Sequence, residues 1–353
     1  METELPKVKE IWMSIEESDE VPKRRTISNK ARPATTSTNK KTIKEITRKV
    51  TNVITKKSPS NNFDLTVAQK EIYKPVLTSK QNKVEVKTTS DTSTREAKGY
   101  LIHNQIGQGA YAIVKQGINK STNEKVAIKM YEKYRIADTQ RKASVDREIS
   151  LLKRLNHPNI VKLYETIDMQ RQLWLVMELA LGRSLHSFIR SKTDRKLSEK
   201  DGMRLFRQIV SGIEYCHKLN VTHRDIKMEN ILIDDELNVK IIDFGFSICS
   251  PPTQRLRIFC GTPSYMAPEI VNKEKYMGPP TDIWSLGILL FTILAGYFPF
   301  KGVTEKDLFR TISRGTVIYP TTMSEEVKTL IGKMLQVDPS KRITAIEVSH
   351  YNN

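Results

Sequence analysis

The spacing of apolar residues changes near Tyr100 and again near Gly182, and these changes constrain the fold more than any other feature. Between Tyr100 and Met177, short apolar runs alternate with turn residues, and beyond Gly182 the spacing is mainly helical. The first region is predicted to hold one helix over 146–155 and strands over 100–106, 113–118, 126–130 and 173–177. The second is predicted to contain only short strands, over 231–233 and 239–242. A small strand-rich unit followed by a larger helical unit predicts two lobes, with a cleft between them where ligands commonly bind.

Residues 1–98 are rich in Ser, Thr, Asn and Lys and poor in aromatic residues. Such a segment cannot bury enough apolar surface to offset the entropy of ordering it, so we predict a mostly disordered tail. Residues 21–60 carry twelve Lys and Arg against one acid, Glu45. Residues 41–57 have apolar positions at helical intervals with a basic opposite face. The alternatives are a basic helix that binds an acidic partner or membrane surface, and a solvated tail.

Charge and composition exclude several classes of protein. The formal net charge of +18 predicts attraction to acidic partners. The three cysteines lack metal-ligand spacing, which fits a reducing compartment. The first twenty residues are acidic, so neither a secretory signal nor a mitochondrial transit peptide is predicted. The longest apolar run, 283–300, is predicted to be a buried helix and not a membrane span. We therefore predict a soluble, cytoplasmic protein, with the nucleus as the alternative location and the oligomeric state left open.

Residues 223–230 and the Asp243-Phe244-Gly245 triplet bring together the groups that phosphoryl transfer needs. They supply two aspartates, one amide and one lysine. In such a reaction one Asp takes the proton of the attacking hydroxyl, and hard Mg2+ ions require oxygen ligands. This chemistry is therefore the leading hypothesis for the second lobe.

Two further motifs lie in the strand-rich region. Gly107 and Gly109 join two predicted strands, where backbone N–H groups can approach phosphate oxygens closely. A dinucleotide-binding fingerprint would open a helix instead, and a plain hairpin turn remains the alternative. Lys129 lies near the end of the strand over 126–130, and Glu148 follows nineteen residues later on the predicted helix. A surface ion pair between them would contribute little to stability, about 0–1 kcal/mol.

In this order, the motifs resemble those of eukaryotic protein serine/threonine kinases over residues 98–350. Details at 156–161 and 296–300 resemble the calcium/calmodulin-dependent and AMP-activated kinase group. The resemblance implies an α+β bilobal protein kinase fold, with a small antiparallel-sheet N-lobe carrying one main helix and a larger helical C-lobe. It divides the chain into a tail over 1–98 and a kinase domain over 99–353, with lobes at about 99–177 and 181–353. The implied activity is ATP- and Mg2+-dependent transfer of the γ-phosphate to Ser/Thr hydroxyls of protein substrates.

The resemblance also implies roles for individual residues. Asp225 would be the catalytic base and Lys227 would neutralise charge on the transferred group. The implied metal ligands are Asn230 and Asp243. The implied nucleotide-binding positions are Gly107, Gly109, Val114, Ala127, Lys129, Glu148, Glu178 and Ala180, with residues 175–180 as the hinge between lobes. Three further contacts are implied: Thr262 with Asp225 and Lys227, and a buried pair of Glu269 with Arg342.

The chain departs from the family pattern at several positions. Ala112 replaces a glycine of the loop, and Ile258 stands where related kinases often have a phosphorylatable Thr that Arg224 would pair with. Three alternatives follow: the segment is active without phosphate, Thr253 substitutes, or a partner protein orders it. Ser184 replaces one of two acids by which relatives read a substrate arginine, whereas Glu229 matches the other.

Two other classes of function remain as alternatives. A catalytically weak pseudokinase would act as a scaffold through the fold and the basic tail. Binding to nucleic acid or microtubules through the tail would weaken steeply as salt rises. The presence of Lys129, Glu148, Asp225, Asn230 and Asp243 favours the active enzyme.

Overall fold

The computed structural model describes residues 95–109, 111–251 and 253–351. The predicted disordered tail and its basic helical island, over 41–57, therefore lie outside the described residues. The described part begins with an antiparallel sheet whose first strand, Arg95–Ala97, pairs with the next through a turn at Lys98 and Gly99. The sheet thus starts before the predicted domain boundary at residue 99.

Six strands form the sheet of the small lobe, in the order β1-β2-β3-β4-β6-β5. They are β1 Arg95–Ala97, β2 Tyr100–Gln108, β3 Ala112–Asn119, β4 Lys125–Glu132, β5 Leu163–Asp168 and β6 Gln172–Glu178. The four predicted strands are confirmed with extended ends, whereas β1 and β5 escaped prediction. β5 is an edge strand with only Leu163 buried, so its alternation is too weak to stand out in the sequence.

The central strands are apolar on both faces because both faces are covered. On one face Val126, Ile128 and Met130 pack with Trp174 and Val176 in a small cluster of their own. The opposite face of the sheet contributes to the main core, through Tyr131, Leu175 and Met177 among others. This arrangement fixes the register of β4 and so the face from which Lys129 projects.

One long helix packs on the small lobe, α1, Thr139–Leu152. Asp138 caps it by accepting hydrogen bonds from the backbone N–H groups of Gln140 and Arg141 at 3.0 and 3.1 Å. The helix begins earlier than the predicted range over 146–155 because its first turns are polar and carry no apolar signal. Its buried residues are Val145, Glu148, Leu151 and Leu152.

The second lobe is mainly helical. Its helices are α2 Leu185–Ser191, α3 Glu199–Lys218, α4 Pro268–Val271, α5 Gly278–Ala295, α6 Glu305–Arg314, α7 Glu325–Met334 and α8 Ala345–Ser349. Its short strands are β7 Arg183–Ser184, β8 Val221–Thr222, β9 Ile231–Ile233, β10 Val239–Ile241 and β11 Ile248–Cys249. Serine and threonine side chains cap α2, α3, α6, α7 and α8 at their N-termini, as expected for exposed helix starts.

Helix α5 forms the centre of this lobe and contacts α3 and α7. It is the one described helix that is long and apolar enough to cross a membrane, and 83% of it is buried inside the fold. Trp284, Leu286 and Phe291 are fully buried along it. The prediction of a buried helix in the apolar run is confirmed, since packing within the lobe accounts for its composition.

Candidate active site

The loop from Val221 to Asn230 is positioned by a buried carboxylate near the start of α5. Asp282 is fully buried and accepts hydrogen bonds from the backbone N–H groups of His223 and Arg224, both at 2.8 Å. His217, on α3, lies 2.9 Å from the same carboxylate. The predicted apolar run began at residue 283, and Asp282 directly before it was assigned no function. An acid next to an apolar run was the available signal, because a buried charge requires partners.

Asp225 lies at the centre of a network of donors and is buried. One carboxylate oxygen accepts from the hydroxyl of Thr262 at 2.9 Å. The other accepts from Lys227 Nζ at 2.7 Å and from the Asn230 amide at 3.0 Å. Lys227 also donates to Thr262 at 3.1 Å, so the contact of Thr262 with both residues is present. Three donors on one carboxylate fix its orientation and stabilise its negative charge.

Asn230 takes part in this network through its amide nitrogen only. Its amide nitrogen donates to the backbone carbonyl and the carboxylate of Asp225, at 2.9 and 3.0 Å. The side-chain oxygen therefore remains available as a hard ligand. Within the described residues, no three His, Cys, Asp or Glu side chains cluster as metal ligands. Mg2+ rarely needs such a cluster, because one or two protein oxygens are usually completed by phosphates and water.

Lys129 connects the two lobes of the site. Its ammonium lies 2.7 Å from a carboxylate oxygen of Glu148 and 3.4 Å from one of Asp243. Tyr131 donates from its hydroxyl to the other oxygen of Glu148 at 2.7 Å, which leaves that buried carboxylate with a partner on each oxygen. Burial alone would lower the pKa of Lys129, but Glu148 and Asp243 outweigh it and raise the pKa. The lysine is therefore charged at neutral pH.

Asp243 has a left-handed backbone, with φ 64°, which turns its carboxylate toward Lys129. The next residue, Phe244, is buried and packs edge-on against His223, with ring centroids 4.8 Å apart. Burial raises the pKa of Asp243, but Lys129 and the Gly245 N–H outweigh burial and lower it below its usual value. The carboxylate is thus ionised and available to a cation.

The glycine loop is a hairpin between β2 and β3. Gly107 pairs with Val114, and the backbone N–H of Gly109 donates to the carbonyl of Ala112 at 2.8 Å. A Cβ at either glycine would meet neighbours at ordinary distances of 3.5 Å or more. Packing in this arrangement therefore does not require glycine at either position.

Between the lobes, the chain offers backbone groups to the cleft. The carboxylate of Glu178 lies 2.6 Å from Lys240 and accepts from the Lys162 N–H at 3.2 Å, so its side chain ties the two lobes together. The backbone N–H and C=O of Ala180 have no hydrogen-bond partner within the described residues. Ala127 is buried in β4, opposite Met177 of β6.

The segment after Asp243 is anchored by hydrogen bonds to its backbone groups. Leu256 and Tyr276 form an antiparallel bridge, with N–H to C=O distances of 2.7 and 3.0 Å. The hydroxyl of Tyr276 donates to the carbonyl of Ile258 at 2.8 Å, while the Ile258 side chain is half exposed. Arg224 donates from Nε to the carbonyl of Phe246 at 2.6 Å.

The end of this segment is locked by a buried ion pair. Both nitrogens of the Arg342 fork donate to Glu269, at 2.8 and 3.1 Å, as the resemblance implied. The two side chains are 0% and 4% exposed. A bidentate pair without access to water holds α4 in a single orientation.

Comparison with known proteins gives this geometry a family. Residues 100–352 match the protein kinase domain family. The chain is 42% identical over 253 residues to "Probable serine/threonine-protein kinase MARK-A" of Dictyostelium discoideum, a match covering 71% of this chain and 24% of that protein. It is 41% identical over 252 residues to "NUAK family SNF1-like kinase 1" of Homo sapiens, covering 71% and 38%. It is 39% identical over 256 residues to "SNF1-like protein kinase ssp2" of Schizosaccharomyces pombe, covering 72% and 44%.

These matches thus span less than half the length of each relative, between 24% and 44%. They lie on the part of this chain that holds both lobes and the cleft between them. The chain therefore belongs to the protein kinase family, and its relatives include the SNF1-like kinases of the AMP-activated kinase group.

Proposed function

We propose that this chain is an active protein serine/threonine kinase that uses ATP and Mg2+. The observation that carries the proposal is the pairing of Lys129 with both Glu148 and Asp243, while Asp225 is held by Lys227, Asn230 and Thr262. These two networks contain every side chain needed to position a phosphoryl group and a hydroxyl. Protein kinases in general use ATP and Mg2+.

The described residues fit such a ligand. Bound ATP supplies the γ-phosphoryl group, and Mg2+ neutralises charge on its oxygens. Asp243 and the free oxygen of Asn230 would hold the metal, and Lys129 would hold the inner phosphates. Gly107, Gly109 and Val114 would cover the phosphates. Ala127, Glu178 and Ala180 would take the adenine side through packing and backbone groups.

The substrate hydroxyl would meet Asp225. Its carboxylate would accept the hydroxyl proton, a contribution of about 10²–10⁴-fold for positioned proton transfer. Lys227 lies within hydrogen-bond distance of the same carboxylate and is oriented by Thr262. Its ammonium would therefore stabilise the negative charge that develops on the transferred group.

A labelled-ATP assay on a degenerate serine and threonine peptide library tests this function. Asp225→Asn should lower turnover by at least 100-fold because the amide cannot accept the proton. Asp235→Asn is the matched control, since Asp235 is exposed in the turn between β9 and β10. Equal turnover of wild type and Asp225→Asn would refute the role of Asp225, and no turnover with wild type would support the pseudokinase alternative.

We further propose that the activation segment, residues 243–269, is ordered without phosphate. The support is the Leu256–Tyr276 bridge and the bond from Tyr276 to the Ile258 carbonyl, which anchor the segment through groups of the protein itself. Wild-type protein before and after phosphatase treatment and the Thr253→Ala variant should all have equal turnover. Arg224 Nη1 is buried and has no hydrogen-bond partner within the described residues. A large gain in turnover on phosphorylation of Thr253 would therefore show that Arg224 receives an anion and that the segment is not self-ordered.

For the tail we propose binding to an acidic partner or membrane surface, separate from catalysis. The support is the charge of residues 21–60, twelve basic residues against one acid. Deletion of residues 1–94 should leave turnover on peptides unchanged and should abolish salt-sensitive binding to anionic vesicles. Lower stability of the kinase domain after deletion would show that the domain begins earlier than we propose.

A further inference from the structure

The surface beside the catalytic loop carries a cluster of positive charge that the proposed function does not use. Between Leu179 and Thr193 the sequence contains no Asp or Glu, and it contains Arg183, Arg190 and Lys192. All three cations are exposed. None forms an ion pair with any residue described in the structure. We call these three residues the α2 patch.

Phe188 holds two of these cations in place. The guanidinium of Arg183 lies 5.1 Å from the centroid of the Phe188 ring, and the ammonium of Lys192 lies 4.7 Å from it. Arg183 also donates to the hydroxyl of Ser191 at 3.5 Å. Contacts of cations with one aromatic ring restrict the freedom of both side chains. Arg183 and Lys192 are therefore grouped around one ring, and Arg190 adds a third positive charge to the same short segment.

The α2 patch is adjacent to the catalytic machinery. Helix α2 packs against the short turn Met228–Asn230, through buried residues that include Leu185 and Ile189. That turn carries Asn230, which donates to Asp225. At the helix start, Ser184 accepts a hydrogen bond from the Ser187 N–H and so supplies no carboxylate. Strand β7 and helix α2 both contact this turn, so a peptide whose hydroxyl reaches Asp225 would pass the side of the lobe that carries the α2 patch.

We propose that the α2 patch selects protein substrates with acidic or phosphorylated residues flanking the target hydroxyl. The inference rests on the proposed kinase function and names a substrate class for the same site. Complementary charge stabilises the encounter and repels peptides with a cluster of basic residues. Glu229 is exposed on the neighbouring turn and can pair with one basic residue of a peptide. Electrostatic repulsion is therefore expected only for peptides that place arginines against α2.

Two peptides that share a neutral core around one serine test the inference. One peptide carries three glutamates in the segments flanking this core, and the other carries three arginines there. Wild type should have a KM about tenfold lower for the glutamate peptide, and the difference should shrink in high salt. The variant combining Arg183→Ser, Arg190→Ser and Lys192→Ser should lose this preference with unchanged kcat on the neutral peptide. Lys341→Ser, which removes an exposed cation elsewhere on the domain, is the control.

Equal use of the two peptides by wild type, or a preference for the arginine peptide, would overturn the inference. So would a combined variant that keeps the wild-type preference. If the variant instead loses only binding to anionic vesicles, the patch serves a membrane. Fluorescence anisotropy with the labelled peptides separates this inference from the kinase proposal. If wild type binds the glutamate peptide tightly and the variant does not, the role of the α2 patch is supported even when no phosphate is transferred. Equal binding of this peptide by wild type and variant would reject that role.

Discussion

The buried pair of Arg342 and Glu269 gives the sharpest energetic prediction, because its two members depend on one another unequally. Arg342 donates to both oxygens of Glu269 and to the carbonyls of Pro280 and Gln336, at 2.6 to 3.1 Å. Within the described residues, the Glu269 carboxylate has no donor other than Arg342. Loss of the arginine therefore leaves a buried carboxylate without a partner, whereas loss of the acid leaves the arginine with several acceptors.

We expect Arg342→Met to lower the free energy of unfolding by about 3–5 kcal/mol, the range for breaking one side of a buried pair. For a domain of this size that corresponds to a fall in Tm of about 6–20 °C. Glu269→Gln should cost only about 1–2 kcal/mol, because the amide oxygen still accepts from Arg342 and the carbonyl contacts remain. Combining Arg342→Met with Glu269→Leu should restore most of the loss, since well-packed apolar residues often replace a buried pair without penalty.

Urea unfolding followed by tryptophan fluorescence and circular dichroism measures all three variants. Trp284 is a local probe, because the Arg342 guanidinium lies 5.3 Å from its ring centroid. Ser340→Ala, on the exposed turn before Arg342, controls for changes outside the pair. If Glu269→Gln destabilises the domain as much as Arg342→Met, the asymmetry drawn from the hydrogen bonds is wrong. If the double variant is less stable than either single variant, each side chain stabilises the fold by more than satisfying its buried partner.

Three further outcomes are expected. Asp243→Ala should abolish ATP-dependent phosphotransfer, because it removes an ionised oxygen ligand. It should also weaken Mg2+-dependent nucleotide binding, which calorimetry measures. Retained activity would refute the assignment of Asp243 as a metal ligand. Gly182→Ala should destabilise the domain by about 2–3 kcal/mol, because φ is +104° and a Cβ would lie 1.9 Å from the Ile233 carbonyl oxygen. Gly99→Ala, at φ +82° in open space, should cost only about 1 kcal/mol. Equal losses of stability for the two variants in thermal melts would contradict this reasoning. Burial and the hydrogen bond to Glu165 raise the pKa of Tyr100 to about 12. Its contribution to stability should therefore be complete below pH 10 and lost between pH 10 and about 12, and a Tyr100→Phe variant with an unchanged alkaline decline would show that other groups cause it.

The sequence by itself determined the order of the lobes and the chemistry of the cleft. Lys129, Asp225 and Asp243 each lie in a short motif whose residue types follow from what phosphate, a proton and Mg2+ require. Short apolar runs predicted β4 and β6, because strands covered on both faces have continuous apolar sequences. It could not predict β5, an edge strand with mixed exposure, or the polar first turns of α1.

Tertiary structure alone decided how the site is held. Asp282 binds the backbone of His223 and Arg224 from nearly sixty residues away, and Tyr276 binds the carbonyl of Ile258. The partners in these contacts are backbone groups, which every residue has, so the sequence cannot show which residues Asp282 and Tyr276 bind. The α2 patch depends on the same kind of information. Its cations are visible in the sequence, but their lack of ion-pair partners in the described structure and the packing of α2 on the catalytic loop arise only from the fold.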